Sequence, residues 1–176
     1  ERARMELRAV EVLAGVHGAA SSDADLEFLQ FSDPGDTALR RHVAHERDYY
    51  EWARDGMHFP LIEAAFDWLD ANWPTEADSR PPVVSWGDSR VGNMMFRDFE
   101  PVAVLDWEMA GIGPRELDIG WLVFAHMVFE TIASAMGLGG MPHFLREADV
   151  TAVYERLTGV RLGDLHWYHV FTGVRW

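Results

Sequence analysis

Two short, mainly apolar runs, each followed closely by an acidic residue, constrain the fold of this sequence most. The first run covers residues 83–86 and leads to Asp88, and the second covers residues 102–105 and leads to Asp106. Short apolar runs bounded by turn residues are typical of buried strands. We predict that the two strands form a hairpin-like unit that carries both acids at the same end, with Asn93 between them.

The segments on either side of this unit show the apolar spacing of helices. We predict helices at residues 4–17, 37–54, 60–73, 116–132, 149–157 and 164–174. Glycine, proline and polar residues predict connections without regular structure at residues 21–36, 75–82 and 109–114. The helix from Glu116 is apolar around most of its circumference, so we expect it at the centre of the domain.

The length and composition favour one soluble domain. A chain of 176 residues fits one domain, and the elements above predict a predominantly helical α+β fold. The net charge of −14 disfavours nucleic acid and anionic membranes as partners and favours cationic ligands. No apolar run reaches the roughly 20 residues of a membrane span, and there are no cysteines for disulfides or thiolate metal sites. We therefore expect a cytoplasmic protein that acts without a nucleic acid or membrane partner.

The order and spacing of three polar residues point to phosphoryl transfer. That reaction needs a carboxylate that accepts the hydroxyl proton of the acceptor, and oxygen ligands that hold Mg²⁺ on the phosphates. Protein kinases supply them with an Asp, an Asn five residues later and a second Asp on the following strand. Asp88, Asn93 and Asp106 have this order and spacing.

Two segments carry a resemblance to a known family. Residues 86–93 (Trp-Gly-Asp-Ser-Arg-Val-Gly-Asn) and residues 104–108 (Val-Leu-Asp-Trp-Glu) resemble the aminoglycoside phosphotransferase family, whose fold is protein-kinase-like. Residues 113–118 (Gly-Pro-Arg-Glu-Leu-Asp) resemble the start of the family's long helix. The resemblance implies the large C-terminal lobe of that fold, with a small β-hairpin carrying the catalytic loop.

The resemblance also implies roles for individual residues. Asp88 would be the catalytic base, and Arg90 would offset charge on the transferring phosphoryl group. Asn93 and Asp106 would hold Mg²⁺ on the nucleotide. Glu108 would be a further metal contact, direct or through water, with a solvated loop acid as the alternative.

Asp118 and Trp86 concern the support of the catalytic loop. By the resemblance, Asp118 would accept hydrogen bonds from the backbone of this loop, which is a structural role. Trp86 stands where the family usually has histidine. We expect it to fill the volume without replacing the hydrogen bonds of an imidazole, so that the loop is anchored differently.

The resemblance does not extend to a nucleotide-binding lobe. No glycine-rich phosphate loop followed by a strand lysine precedes the helical segments. We therefore expect residues 1–176 to be the C-terminal lobe alone, without the nucleotide lobe and the last helices, and to be inactive by itself.

The resemblance implies an ATP- and Mg²⁺-dependent phosphotransferase that acts on a hydroxyl of a small molecule, such as an aminoglycoside or a similar metabolite. A cationic acceptor would suit the acidic composition. Two alternatives stay open. One is a metal-dependent phosphoester hydrolase that uses Asp88, Asp106 and Glu108, and the other is a kinase-like binding module without catalytic activity.

Overall fold

The computed structural model describes residues 1–19 and 24–176, and within them helices surround two small sheets. The α-helices are α1 (Arg2–His17), α2 (Ala38–Ala53), α3 (Pro60–Ala71), α4 (Thr75–Asp78), α5 (Glu116–Ala135), α6 (Glu147–Thr158) and α7 (His166–Arg175). The strands are β1 (Val83–Ser85), β2 (Met94–Arg97), β3 (Glu100–Val104) and β4 (Gly111–Gly113). The predicted fold class, a predominantly helical α+β fold, is confirmed.

The ends of the longer helices follow from local chemistry. The side chain of Thr37 accepts a hydrogen bond from the backbone N–H of Arg40 and caps α2. Pro60 opens α3, where its missing N–H costs nothing. Gly159 ends α6 with a left-handed backbone, at a φ of 70°. The carboxylate of Asp164 accepts the backbone N–H of His166 where α7 begins.

Two predicted connections contain short helices instead. Residues 75–78 form the single turn α4, and Ala24–Leu29 form a 3-10 helix. Residues 21–23 of the predicted connection lie outside the described residues. Helices of one or two turns are too short to show helical periodicity, which is why the sequence pattern missed both.

The strand pairing differs from the prediction. Strand β1 pairs antiparallel with β4, while β2 pairs antiparallel with β3, so the strands that precede Asp88 and Asp106 lie in different sheets. The predicted pairing of these two strands with each other is therefore wrong, whereas β2 and β3 form the small β-hairpin of the predicted fold class. Residues 111–113 form a strand where we predicted none. Gly113 lets α2 and α5 pack closely against β4, because a Cβ atom there would lie 2.6 Å from Cδ1 of Leu117 and 2.9 Å from Nε2 of His42.

Helix α5 is central only in its first half. Its buried residues run from Glu116 to Ala125, whereas Met127, Phe129 and Ile132 are about half exposed. By length and composition alone, α5 would also suit a membrane span, contrary to our expectation from the sequence. Its first half packs in the core together with α7, and we therefore interpret it as a core helix.

Candidate active site

Asp118, in the first turn of α5, anchors the loop that follows β1. Its carboxylate is fully buried and accepts the backbone N–H groups of Trp86 at 2.7 Å and Gly87 at 2.9 Å. It also accepts the Ser85 hydroxyl and Nε2 of His17, both at 2.9 Å. The structure thus places Asp118 where its predicted supporting role requires, and the role itself stays a prediction.

The protonation of this cluster follows from its hydrogen bonds. Burial raises the pKa of Asp118, but the hydrogen bonds from His17 and from the loop backbone outweigh it and hold that pKa below its usual range. Because a carboxylate only accepts, Nε2 of His17 carries a proton. The hydroxyl of Tyr154 lies 2.7 Å from the other ring nitrogen of His17, and burial raises the pKa of Tyr154 to about 12. Tyr154 therefore stays protonated and can donate to His17.

Trp86 ties the loop to the segment that carries Asp106. The indole Nε1 donates to the carbonyl oxygens of Leu105 at 2.8 Å and Asp106 at 3.1 Å. Trp86 thus fills a buried volume, and its indole anchors the loop through hydrogen bonds of its own, in line with our expectation of a different anchoring. The loop after β1 and the segment after β3 meet through this buried side chain, although their strands lie in different sheets.

Asp88 accepts hydrogen bonds from three side chains. Oδ1 accepts Nε1 of Trp121 at 2.8 Å, and Oδ2 accepts Nδ2 of Asn93 at 2.7 Å. Nε of Arg90 lies 3.1 Å from the first oxygen and 3.0 Å from the second. The guanidinium of Arg90 also lies 4.0 Å from the carboxylate of Asp106. The structure thus brings together the four residues with the main predicted roles in chemistry.

Trp121 is the site residue that the sequence reasoning missed. It lies 33 residues after Asp88, at an apolar position of a core helix, where packing is the usual reason for a tryptophan. One signal was present in the sequence. Trp121 follows Asp118 by three residues, so both side chains lie on one face of the helix, toward the catalytic loop.

Asn93 and Asp106 offer the oxygen ligands that suit Mg²⁺. The amide nitrogen of Asn93 donates to the carboxylate and backbone carbonyl of Asp88, so its amide oxygen is the atom that would contact a metal ion. The carboxylate of Asp106 is 43% exposed, on a residue with a φ of 64°. Mg²⁺ typically takes one or two protein ligands and completes its coordination with phosphates and water, so these two residues fit the ion.

The structure does not connect Glu108 with the metal ligands. Its side chain is exposed and forms no hydrogen bond or ion pair with any described residue. In the described part of the chain, no three His, Asp or Glu side chains cluster as a metal site. Glu108 as a metal contact stays a prediction, and a metal ion here would rely on Asn93, Asp106 and its phosphate ligands.

Comparison with solved structures shows the same fold in several phosphotransferases. A protein from Ralstonia eutropha JMP134 that is assigned as an aminoglycoside phosphotransferase superimposes with a TM-score of 0.76 at 23% identity, over 99% of this chain and 53% of its own. The apoenzyme of macrolide 2′-phosphotransferase MphH from Brachybacterium faecium superimposes with a TM-score of 0.64 at 15% identity, over 96% and 50%. The ADP-bound aminoglycoside phosphotransferase APH(2″)-Ib does so with a TM-score of 0.56 at 9% identity, over 98% and 53%.

The chain therefore spans about half the length of these solved relatives. At the level of sequence, the family model described as the phosphotransferase enzyme family matches residues 1–160, which include the loop after β1, Asp106 and the first turn of α5. The kinase-like fold and the family resemblance are thereby confirmed. This chain belongs to the phosphotransferase enzyme family.

Proposed function

We propose that the protein carrying this chain transfers a phosphoryl group from ATP, with Mg²⁺, to a hydroxyl group of a small molecule. The observation that carries the proposal is the carboxylate of Asp88, which Asn93, Arg90 and Trp121 hold beside Asp106. Membership of a phosphotransferase family supports the reaction class. The nucleotide and the metal ion are part of the proposal.

Asp88 is suited to accept a proton from the acceptor hydroxyl. A carboxylate has about four positions at which it can accept hydrogen bonds, and three donors contact this one. Nε of Arg90 is shared between the two oxygens, so the acceptor hydroxyl can take one of its two contact positions. The hydroxyl proton would move to Asp88 as the hydroxyl oxygen attacks the γ-phosphorus and the bond to the leaving ADP breaks. A base positioned in this way typically contributes about 10²–10⁴-fold to the rate.

Arg90 and the two oxygen ligands address the charge on the phosphates. Arg90 lies between Asp88 and Asp106, so its guanidinium can offset charge that develops on the transferring group. Mg²⁺ held by Asn93 and Asp106 would supply further positive charge when bound. Water remains a competing acceptor unless the bound substrate fills the space in front of Asp88.

The acceptor is proposed as a class. Solved relatives with this fold are named for aminoglycosides and for macrolides, and both of these classes carry hydroxyl groups. The net charge of −14 favours a cationic member of such a class. Turnover of a cationic acceptor should therefore fall more steeply with salt concentration than turnover of a neutral acceptor of similar size.

Asp88→Asn is the direct test. The amide keeps the shape of the side chain but cannot take the proton, so kcat should fall by at least about 100-fold while circular dichroism stays unchanged. Asp67→Asn on the exposed face of α3 is the matched control and should keep normal turnover. If the turnover of the Asp88 variant stays within about two-fold of wild type, the assignment of Asp88 as the base is refuted.

One labelling experiment separates the two alternative functions from this proposal. With γ-labelled ATP, a phosphotransferase moves the label to the acceptor, whereas a phosphoester hydrolase releases phosphate from a generic ester without ATP. A binding module does neither. Phosphate release without ATP, together with the absence of labelled acceptor, would replace the proposed function with the hydrolase.

A further inference from the structure

We propose that Trp121 is a positioning residue, whose indole N–H fixes the orientation of the Asp88 carboxylate toward the acceptor hydroxyl. The inference rests on the proposed function, because it takes Asp88 as the base. It adds a residue that neither the motif of the catalytic loop nor the family match assigns to the site.

The contact itself is directional. Nε1 of Trp121 lies 2.8 Å from Oδ1 of Asp88, and the side chain of Trp121 belongs to the buried core. An indole N–H can only donate, so this contact cannot reverse as a contact from a hydroxyl group could. A charged acceptor also makes the hydrogen bond stronger than one between neutral groups.

Trp121 and Asn93 hold opposite oxygens of the same carboxylate. Trp121 donates to Oδ1 and Asn93 donates to Oδ2, while Nε of Arg90 is almost equally distant from both. Arg90 alone would therefore not favour one rotation of the carboxylate over another. With both oxygens held, the plane of the carboxylate is fixed, and so is the direction from which it can accept the hydroxyl proton.

The indole ring is itself held by α7 and α2. The guanidinium of Arg175 lies over the ring, 4.8 Å from its centroid, and forms an ion pair of 2.9 Å with Glu46. Both side chains of this pair are largely buried, 5% exposed for Arg175 and 15% for Glu46. Three helices that are distant in the sequence therefore determine where the donor of Trp121 points.

Other tryptophans show the difference between positioning and packing. Nε1 of Trp167 donates to the backbone carbonyl of Leu69 at 2.9 Å, and Nε1 of Trp107 donates to that of Val104 at 3.1 Å. These contacts satisfy buried or local backbone groups. The one polar atom of Trp121 instead donates to Asp88, the residue that is predicted to perform the chemistry.

The test compares Trp121→Phe with Trp167→Phe in the natural protein that carries this sequence. Both replaced side chains are buried to the same extent, and each donates one hydrogen bond. Trp121→Phe should lower kcat about 10- to 100-fold, because small misplacement of a catalytic group can cost about 100-fold, while both KM values change by less than about three-fold. Trp167→Phe should lose similar thermal stability and keep kcat within about two-fold. Equal kcat values for the two variants would overturn the inference.

A second replacement covers the case in which Trp121→Phe does not fold. Site-specific replacement of Trp121 by 3-benzothienylalanine keeps the ring shape and exchanges the N–H group for sulfur. A lowered kcat with normal thermal stability supports the inference, and an unchanged kcat overturns it. Asp88→Asn separates this outcome from failure of the proposed function. If Asp88→Asn abolishes turnover and the Trp121 replacements do not lower kcat, only the positioning role is refuted.

Discussion

The side chain of His42, a residue of α2, is buried against β4, where its Nε2 contacts the carbonyl oxygen of Ile112 at 3.1 Å. Its Nδ1 is buried without a hydrogen-bond partner among the described residues. Burial, and next the positive charge of Arg175, lower the pKa of His42 from 6.5 to about 3. A proton on Nδ1 would add a buried charge with nothing to accept its hydrogen bond.

Because of this lowered pKa, His42 makes the free energy of unfolding depend on pH. Below pH 6.5 the unfolded chain binds a proton at His42 and the folded chain does not, so the free energy of unfolding decreases as the pH falls toward 3. Between pH 7 and pH 5 the loss should be about 2 kcal/mol. Urea unfolding at both pH values should show this loss in wild type and a smaller loss in His42→Gln. Equal losses in both proteins would contradict the assignment.

The loop after β1 requires glycine at position 87. The φ of Gly87 is 90°, and a Cβ atom at this position would lie 2.0 Å from the backbone oxygen of Met109. The catalytic loop therefore passes directly against the segment that leads into β4. No side chain fits there unless one of the two backbones moves.

Gly87→Ala should therefore be more destabilising than a control with a similar backbone. Gly137 has a φ of 69° and no atom within 4 Å of a Cβ position. Gly137→Ala should therefore lower the free energy of unfolding by only about 1 kcal/mol, which is the cost of placing alanine in the left-handed conformation. Gly87→Ala should cost about 2 kcal/mol more in the free energy of unfolding, because of the overlap, and should lower kcat by moving Asp88. Similar unfolding energies for the two variants would show that the loop can move away.

The ion pair between Glu46 and Arg175 connects helices α2 and α7. Removing one partner of a buried pair leaves the other charge uncompensated, so Glu46→Gln should lower the free energy of unfolding by about 3 kcal/mol. Glu51→Gln is the same substitution on the same helix. Glu51 forms an ion pair with Arg54, and the side chain of Glu51 is 59% exposed. That change should cost less than about 1 kcal/mol. Thermal or urea unfolding of both variants measures the difference.

The charge of the whole molecule bears on nucleotide binding. The net charge is −14, and the site cation Arg90 already contacts both Asp88 and Asp106. We therefore expect residues 1–176 by themselves to bind MgATP with a Kd weaker than about 1 mM. Higher ionic strength should not weaken this binding further, because salt screens the repulsion. Micromolar binding in a calorimetric titration would contradict this expectation.

Local patterns in the sequence were sufficient for most of the elements and for the family. Helical periodicity, caps and prolines depend on neighbouring residues, so the long helices were predicted to within a few residues at their ends. The order of Asp88, Asn93 and Asp106 is a matter of spacing along the chain, and it indicated phosphoryl transfer. The resemblance of residues 86–93, 104–108 and 113–118 indicated the family, which the family match confirms.

The tertiary structure decided how these pieces meet. The pairing of β1 with β4, the contact of Trp121 with Asp88 across 33 residues and that of His17 with Asp118 across 101 residues leave no local pattern. Each depends on which faces of the helices pack together and on where glycine lets two backbones approach. For that reason the sequence alone determined the candidate residues of the catalytic motif, and only the packing of α1, α5 and α7 decided how those residues are held and that Trp121 joins them.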